Sequence, residues 1–159
     1  MLKQEHIFKL TQSLQTCSLH HSRMIFAYNE LREFFPLDEV GYENLSPTQI
    51  SYCDQLIYRF SKLQDTIGNK LFRNILEGLG ENHEEMAFID VLSRLEKLQI
   101  IESQVEWLQL RELRNSVTHE YPFNSDEIIE GLNTLIDKSE YLSEIWQKIE
   151  NYVQMKFSL

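Results

Sequence analysis

Apolar residues recur at steps of three and four along most of this chain, which is the period of an amphipathic helix. The first stripe runs from Gln4 to Phe34. Pro36 and the polar stretch to Ser46 form a connection. A second helix then begins at Ser46-Pro47, because serine is a good N-cap and proline suits the first helical position. Gly68 weakens this helix but need not break it, and Gly78-Leu79-Gly80 ends it.

Three further helices are predicted in the second half of the chain. One carries the apolar residues from Met86 to Leu98, and the next runs on to about His119. Pro122 stops that helix, and a capping-box pattern at Asn124 to Glu127 starts a fifth helix that extends almost to the C-terminus. The pattern predicts an all-α fold of about five helices, and the length of the chain favours a single domain over residues 1–159.

Composition narrows the setting in which the protein works. Hydrophobic residues make up 42% of the chain, and no apolar run reaches the roughly 18 residues that a membrane helix needs. The N-terminus shows no secretory pattern, and Cys17 and Cys53 stand far apart without a paired-thiol motif. We therefore expect a cytoplasmic protein that does not enter a membrane and whose cysteines have no functional role.

The charge is unevenly distributed. A net charge of −10 argues against a general nucleic-acid coat protein, because phosphate binding needs a cation-rich surface. The stretch from Gln55 to Leu76, however, carries two arginines and two lysines against the single acid Asp65, while the chain from Glu120 onward is strongly acidic. Any contact with RNA is therefore expected to be local, on a basic strip of an acidic body.

The end of the fourth predicted helix holds the residues best suited to chemistry. Arg114 and Tyr121 are seven positions apart and lie within about 20° of each other on a helix, beside the apolar face. Arg111, Asn115 and His119 form a separate polar ridge at four-residue steps. Read in isolation, an Arg-His pair on a helix is more often part of a solvated polar face than of a site. On an ideal helix Arg114 and His119 diverge by about 140°, so a shared site needs a distortion or a second chain.

The segment from Arg114 to Tyr121 resembles the signature of HEPN toxins, which is Arg, four residues, His, one residue and Tyr. Two other stretches, Tyr58 to Gly68 and Phe88 to Leu98, resemble the branch of that family that is paired with minimal nucleotidyltransferases. The resemblance covers about residues 55 to 122 and implies a HEPN-type up-and-down helical bundle.

The resemblance also implies an activity. Such a toxin is a metal-independent endoribonuclease without a cofactor, in which the RNA 2′-hydroxyl attacks its own phosphate and leaves a 2′,3′-cyclic phosphate. His119 is then the general acid or base, Arg114 clamps the phosphate, and Asn115 orients the phosphate or the imidazole. Because one histidine supplies one proton-transfer group, we expect a homodimer that brings two copies of His119 to one cleft.

In this family, the residue that corresponds to Tyr121 is adenylylated by the partner nucleotidyltransferase, the antitoxin. An added nucleotide places bulk and negative charge where substrate binds, so the modification is expected to block the site.

Other polar and aromatic residues are candidate functional residues, and for each group a structural role is the alternative. Arg59 and Lys62 either contact RNA or the antitoxin, or they form surface ion pairs with Asp65. His20-His21 and His83 are expected to be surface residues rather than metal ligands, because adjacent helical residues point apart. Trp107 and Trp146 are expected in the core or an interface.

Two alternatives to the nuclease remain. In the first alternative, the chain is a non-catalytic subunit that holds a nucleotide or substrate for a minimal nucleotidyltransferase. In the second, it is a plain helical adaptor. Inactive variants and the neighbouring gene would discriminate between them.

Overall fold

The apolar stripes fold into helices that match the predicted boundaries closely. A computed structural model of the chain describes residues 3–118 and 125–159, and within these ranges it contains helices and no strand. The elements are α1 (Gln4–Leu31) with a 3₁₀ turn at Arg32–Phe34, α2 (Glu39–Glu43), α3 (Pro47–Thr66), a π-helical segment (Ile67–Leu71), α4 (Phe72–Gly78), α5 (Phe88–Lys97), α6 (Gln104–Val117) and α7 (Ser125–Phe157). The all-α prediction is confirmed.

The start of α3 follows the local rules that the sequence indicated. Ser46 Oγ accepts a hydrogen bond from the backbone N–H of Gln49 at 3.1 Å, and Gln49 Oε1 accepts one from the N–H of Ser46 at 2.8 Å. Pro47 occupies the first helical position. Because this capping box satisfies backbone groups that a helix end leaves open, the prediction for the start of α3 is confirmed.

One element was not predicted. The connection after Pro36 contains the short helix α2, which Asp38 caps by accepting a hydrogen bond from the N–H of Gly41 at 2.7 Å. Asn133 of α7 holds the preceding backbone, since its side chain both donates to and accepts from Leu37. A helix of this length depends on such tertiary contacts, so its apolar pattern is too short to reveal it.

The long helical stretches of the described residues are α1, α3 with its continuation to the end of α4, α6 and α7, and they run alternately up and down. His20 of α1 contacts Arg59 of α3, whereas Lys9 near the start of α1 contacts Glu77 at the end of α4, so these helices are antiparallel. Glu106 and Tyr141 join α6 to α7 in the same antiparallel sense as Glu102 and Lys148. The core lies between these helices and includes both tryptophans, each 1% exposed. The expectation that Trp107 and Trp146 belong to the core is thus confirmed.

None of the helices in the described ranges combines the length and the apolar character required to cross a membrane.

Candidate active site

The α6 helix carries Arg114 in its last turn and is fixed to the bundle by its apolar side. Leu110 is buried, and Leu113 and Val117 pack against the core at the following turns. These three residues lie on one face, as their spacing predicted. Arg114 lies beside that face and is half-buried.

Near its other end, α6 is seated by Trp107 on the π-helical segment and α4, which continue α3. A Cβ atom added to Gly68 would lie 3.3 Å from Cζ2 of Trp107, so the missing side chain leaves the space that the indole occupies. The ring of Phe72 packs on the same indole, with centroids 4.8 Å apart. Gly68 lies in the π-helical segment, which is a common local distortion near functional sites. This contact fixes how α6 lies along α3.

An ion pair joins the two helices near the end of α6. Nη2 of Arg114 donates to Oδ2 of Asp65 at 2.8 Å, and the two side chains are 31% and 29% exposed. Asp65 is separated from Arg114 by 49 positions in the chain. The spacing of the Arg114 motif therefore gave no indication of this partner. The only sequence signal was that Asp65 is the single acid in the basic stretch from Gln55 to Leu76.

The remaining donors of Arg114 are lightly used. Nη1 lies 3.4 Å from Oδ1 of Asn115, at the long limit of a hydrogen bond. Nε is buried and has no hydrogen-bond partner among the residues that the structure describes. A guanidinium has five N–H donors and can hold a carboxylate on one edge and a phosphate on the other. Among the described residues, Arg114 is thus a cation held in place by Asp65, with Nε unpartnered and Nη1 in one long contact.

Asn115 is exposed, as a residue of the predicted polar ridge should be. Its contact with Arg114 brings the amide to the guanidinium, although the two were assigned to different stripes. The last described residue of this segment, Thr118, donates to the carbonyl oxygens of Arg114 and Asn115. His119 and Tyr121, the other two predicted site residues, fall in 119–124, which lies outside the described residues.

Arg59 and Lys62 do not form ion pairs with Asp65. Nη1 of Arg59 lies 2.9 Å from Nδ1 of His20, and Nζ of Lys62 lies 5.7 Å from the centre of the Tyr58 ring. Because Asp65 is paired with Arg114 instead, the structure disagrees with the surface ion-pair interpretation of these residues. The pKa of His20 is lowered by burial and, secondarily, by the positive charges of Arg59, Lys62 and Arg23. The surroundings of His20 are therefore cationic.

The histidines that were expected on the surface are partly buried. His21 shares a hydrogen bond of 2.7 Å with Oγ of Ser143 on α7, and burial lowers its pKa. His83 faces Glu77 with its side chain 15% exposed. Nε2 of His21 and Nε2 of His83 thus meet partners on α7 and α4, which the local sequence pattern could not indicate. Within residues 3–118 and 125–159 no group of three or more metal-binding side chains is present.

Burial raises the pKa of the Cys17 thiol to about 12 and that of Cys53 to about 11. Because the thiolate is the reactive form, neither cysteine is a good nucleophile.

Comparison with known proteins leaves this geometry to be interpreted on its own terms. No protein-family model, no curated protein and no solved structure matches the chain significantly.

Proposed function

We propose that this chain is a HEPN-type endoribonuclease that acts as the toxin of a toxin–antitoxin pair. The observation that carries the proposal is the Arg114–Asp65 ion pair, since a guanidinium oriented in this way suits phosphate binding. Arg114 also begins the Arg-to-Tyr signature, and Asp65 lies in a second stretch that resembles the same family. In a chain of net charge −10, an arginine held in place at a helix end is suited to bind a phosphate group of RNA.

The reaction needs no metal in this proposal. The RNA 2′-oxygen attacks the adjacent phosphorus, and the bond from phosphorus to the 5′-oxygen breaks, which leaves a 2′,3′-cyclic phosphate. One His119 imidazole accepts the proton from the 2′-hydroxyl, and a second donates a proton to the leaving 5′-oxygen. Arg114 stabilises the charge that builds on the phosphate oxygens, and Asn115 orients the phosphate or the imidazole. Two copies of His119 require the homodimer.

Control of the nuclease is assigned to a nucleotidyltransferase antitoxin. Adenylylation of Tyr121 adds a phosphate two residues from His119, and this phosphate competes with RNA for Arg114. Incubation with ATP and the cognate minimal nucleotidyltransferase, sought among the products of the adjacent genes, is expected to add one adenylyl group to Tyr121 and none to Tyr121→Phe, as seen by mass spectrometry. An adduct at another residue would refute this assignment.

The activity is tested with end-labelled single-stranded RNA in the presence of EDTA. We expect cleavage products that end in 2′,3′-cyclic phosphates, and we expect Arg114→Ala and His119→Ala each to lower the rate at least about 100-fold. Arg111→Ala is the matched control, because Arg111 is one turn earlier on α6 and stacks on Phe88 instead. Full activity in Arg114→Ala, or activity that depends on added metal, would overturn the proposal.

A further inference from the structure

One face of the bundle concentrates cations and aromatic rings. This basic aromatic face consists of residues from α1 and α3, namely His20, Arg23, Phe26, Tyr58, Arg59 and Lys62. An open groove of about 650 Å³ runs along it, lined by Arg23, Phe26, Tyr58 and Arg59 among others. The face thus combines an open groove with cationic and aromatic side chains.

The cations of this face are not neutralised within the described part of the chain. None of the ion pairs in residues 3–118 and 125–159 includes Arg23, Arg59 or Lys62. Among the lysines and arginines of these ranges only Lys9, Arg94, Arg114 and Lys148 have carboxylate partners, so this face is distinguished by the clustering of its cations. On a chain of net charge −10, three positive groups gathered on one face, with Asp54 as the acid that lines the groove, are complementary to a polyanion.

The aromatic residues narrow the class of polyanion. Phe26 and Tyr58 are exposed by 52% and 51%. The Tyr58 ring has Cζ of Arg59 at 5.0 Å and Nζ of Lys62 at 5.7 Å from its centre. Rings exposed among cations are the usual platform for single-stranded nucleic acids, where bases stack on the rings and cations hold the phosphates.

The face also leads toward Arg114. Tyr58, Lys62 and Asp65 lie along one side of α3, at steps of four and three residues. Tyr58 and Asp65 are therefore about 10 Å apart along the helix axis, and Asp65 holds Arg114. Asp54 is the acid that lines the groove, and it lies beyond Tyr58 on the side away from Arg114. A single-stranded nucleic acid with a base stacked on Tyr58 can thus extend to the guanidinium of Arg114.

We infer that the basic aromatic face binds the single-stranded RNA next to the cleaved phosphate, an inference that rests on the proposed ribonuclease function. Tyr58 stacks on a base, and Arg59 and Lys62 hold the neighbouring phosphates.

The experiment separates binding from cleavage by using an RNA oligonucleotide with 2′-O-methyl groups throughout, which cannot be cut by 2′-hydroxyl attack. Kd is measured by fluorescence anisotropy over a range of salt concentrations. Tyr58→Ala is expected to raise Kd at least about 5-fold, and Tyr58→Phe to bind like the parent protein, because the ring is what stacks. The double variant Arg59→Gln with Lys62→Gln should reduce the slope of log Kd against log salt by about 1.4, about 0.7 for each lost phosphate contact.

The matched control removes the same charge from another surface. Lys138→Gln with Lys156→Gln changes two lysines of the acidic helix α7 and is expected to leave the salt slope unchanged. An equal loss of slope in both double variants would show a general charge effect and overturn the inference. So would unchanged RNA binding in Tyr58→Ala, or face variants that lose only the complex with a nucleotidyltransferase.

Failure of the proposed function gives a different result. If ordinary RNA stays intact while the face variants weaken binding of the methylated RNA, the binding face stands and the nuclease does not. If RNA is cleaved but the face variants bind and cleave like the parent protein, the ribonuclease function is supported and RNA binding by the basic aromatic face is refuted.

Discussion

The α6 helix packs along α3 and its continuation into α4, and the two ends of this contact differ in character. At one end Trp107 is buried against Gly68 and Phe72. At the other end Asp65 and Arg114 form an ion pair that is about one-third exposed. Tight apolar packing stabilises a fold, whereas a partly exposed ion pair contributes little to stability. One helix–helix contact therefore provides rigidity at one end and a positioned charge at the other.

The largest effect is expected at the apolar end. Trp107→Ala removes a fully buried ring and should lower the free energy of unfolding by about 3–5 kcal/mol, measured by chemical denaturation. Val105→Ala is the control, because Val105 lies on the same helix and is 60% exposed. We expect its effect to stay within about 0.5 kcal/mol. Similar losses in both variants would break the comparison.

Two of the glycines that lie in helices, Gly68 and Gly131, are expected to respond to substitution with opposite signs. In Gly68→Ala the new methyl group lies 3.3 Å from Cζ2 of the buried Trp107 ring, and overpacking of this kind costs about 1–3 kcal/mol. Alanine regains about 0.5–1 kcal/mol of helix propensity, so a net loss of about 1 kcal/mol should follow. In Gly131→Ala the nearest atom, Cγ1 of Val117, is 3.8 Å away, and stability should rise. Thermal denaturation of the pair checks both signs. Stabilisation by Gly68→Ala would show that Trp107 is not tightly seated.

At the polar end, the expected loss is in activity rather than stability. Asp65→Ala removes the group that positions Arg114, so RNA cleavage should fall about 10-fold, or ~1.4 kcal/mol, while the free energy of unfolding changes by less than about 1 kcal/mol. Asp65→Glu should recover part of kcat, and Asp137→Ala, which removes an exposed acid from α7, should have no effect. Loss of folding without loss of rate per folded molecule would assign Asp65 a structural role.

The smallest expected effect is a dependence of stability on pH through His20. Its pKa lies below the usual value of 6.5, first because of burial and then because of Arg59, Lys62 and Arg23. The unfolded chain therefore binds the proton more readily, so this contribution to stability is present above about pH 6.5 and is lost as the pH falls through the pKa of the folded state. Arg59→Gln with Lys62→Gln should raise the pKa of His20 in an NMR titration. A pKa of His20 above 6.5 in the parent protein would contradict a cationic surrounding.

Predictions from sequence succeeded where the cause is local. The stripe beginning at Gln4 and the Ser46-Pro47 cap were read correctly, because a helix period and an N-cap are set by residues a few positions apart. The expectation that Gly68 need not break its helix also held, since α3 continues through the π-helical segment into α4. The helix α2 was missed because five residues carry too little periodicity, and Asn133 of α7 helps to hold the preceding segment.

By itself the sequence determined that the chain is helical, where its long helices begin, and that Arg114 stands in a polar cluster at the end of one of them. Only the tertiary structure decided which groups meet: Asp65 with Arg114, Gly68 with Trp107, and Arg59 with His20. The physical reason is that helix periodicity depends on neighbours three and four residues away, whereas these contacts join residues 39 to 49 positions apart that approach each other only after the helices have packed.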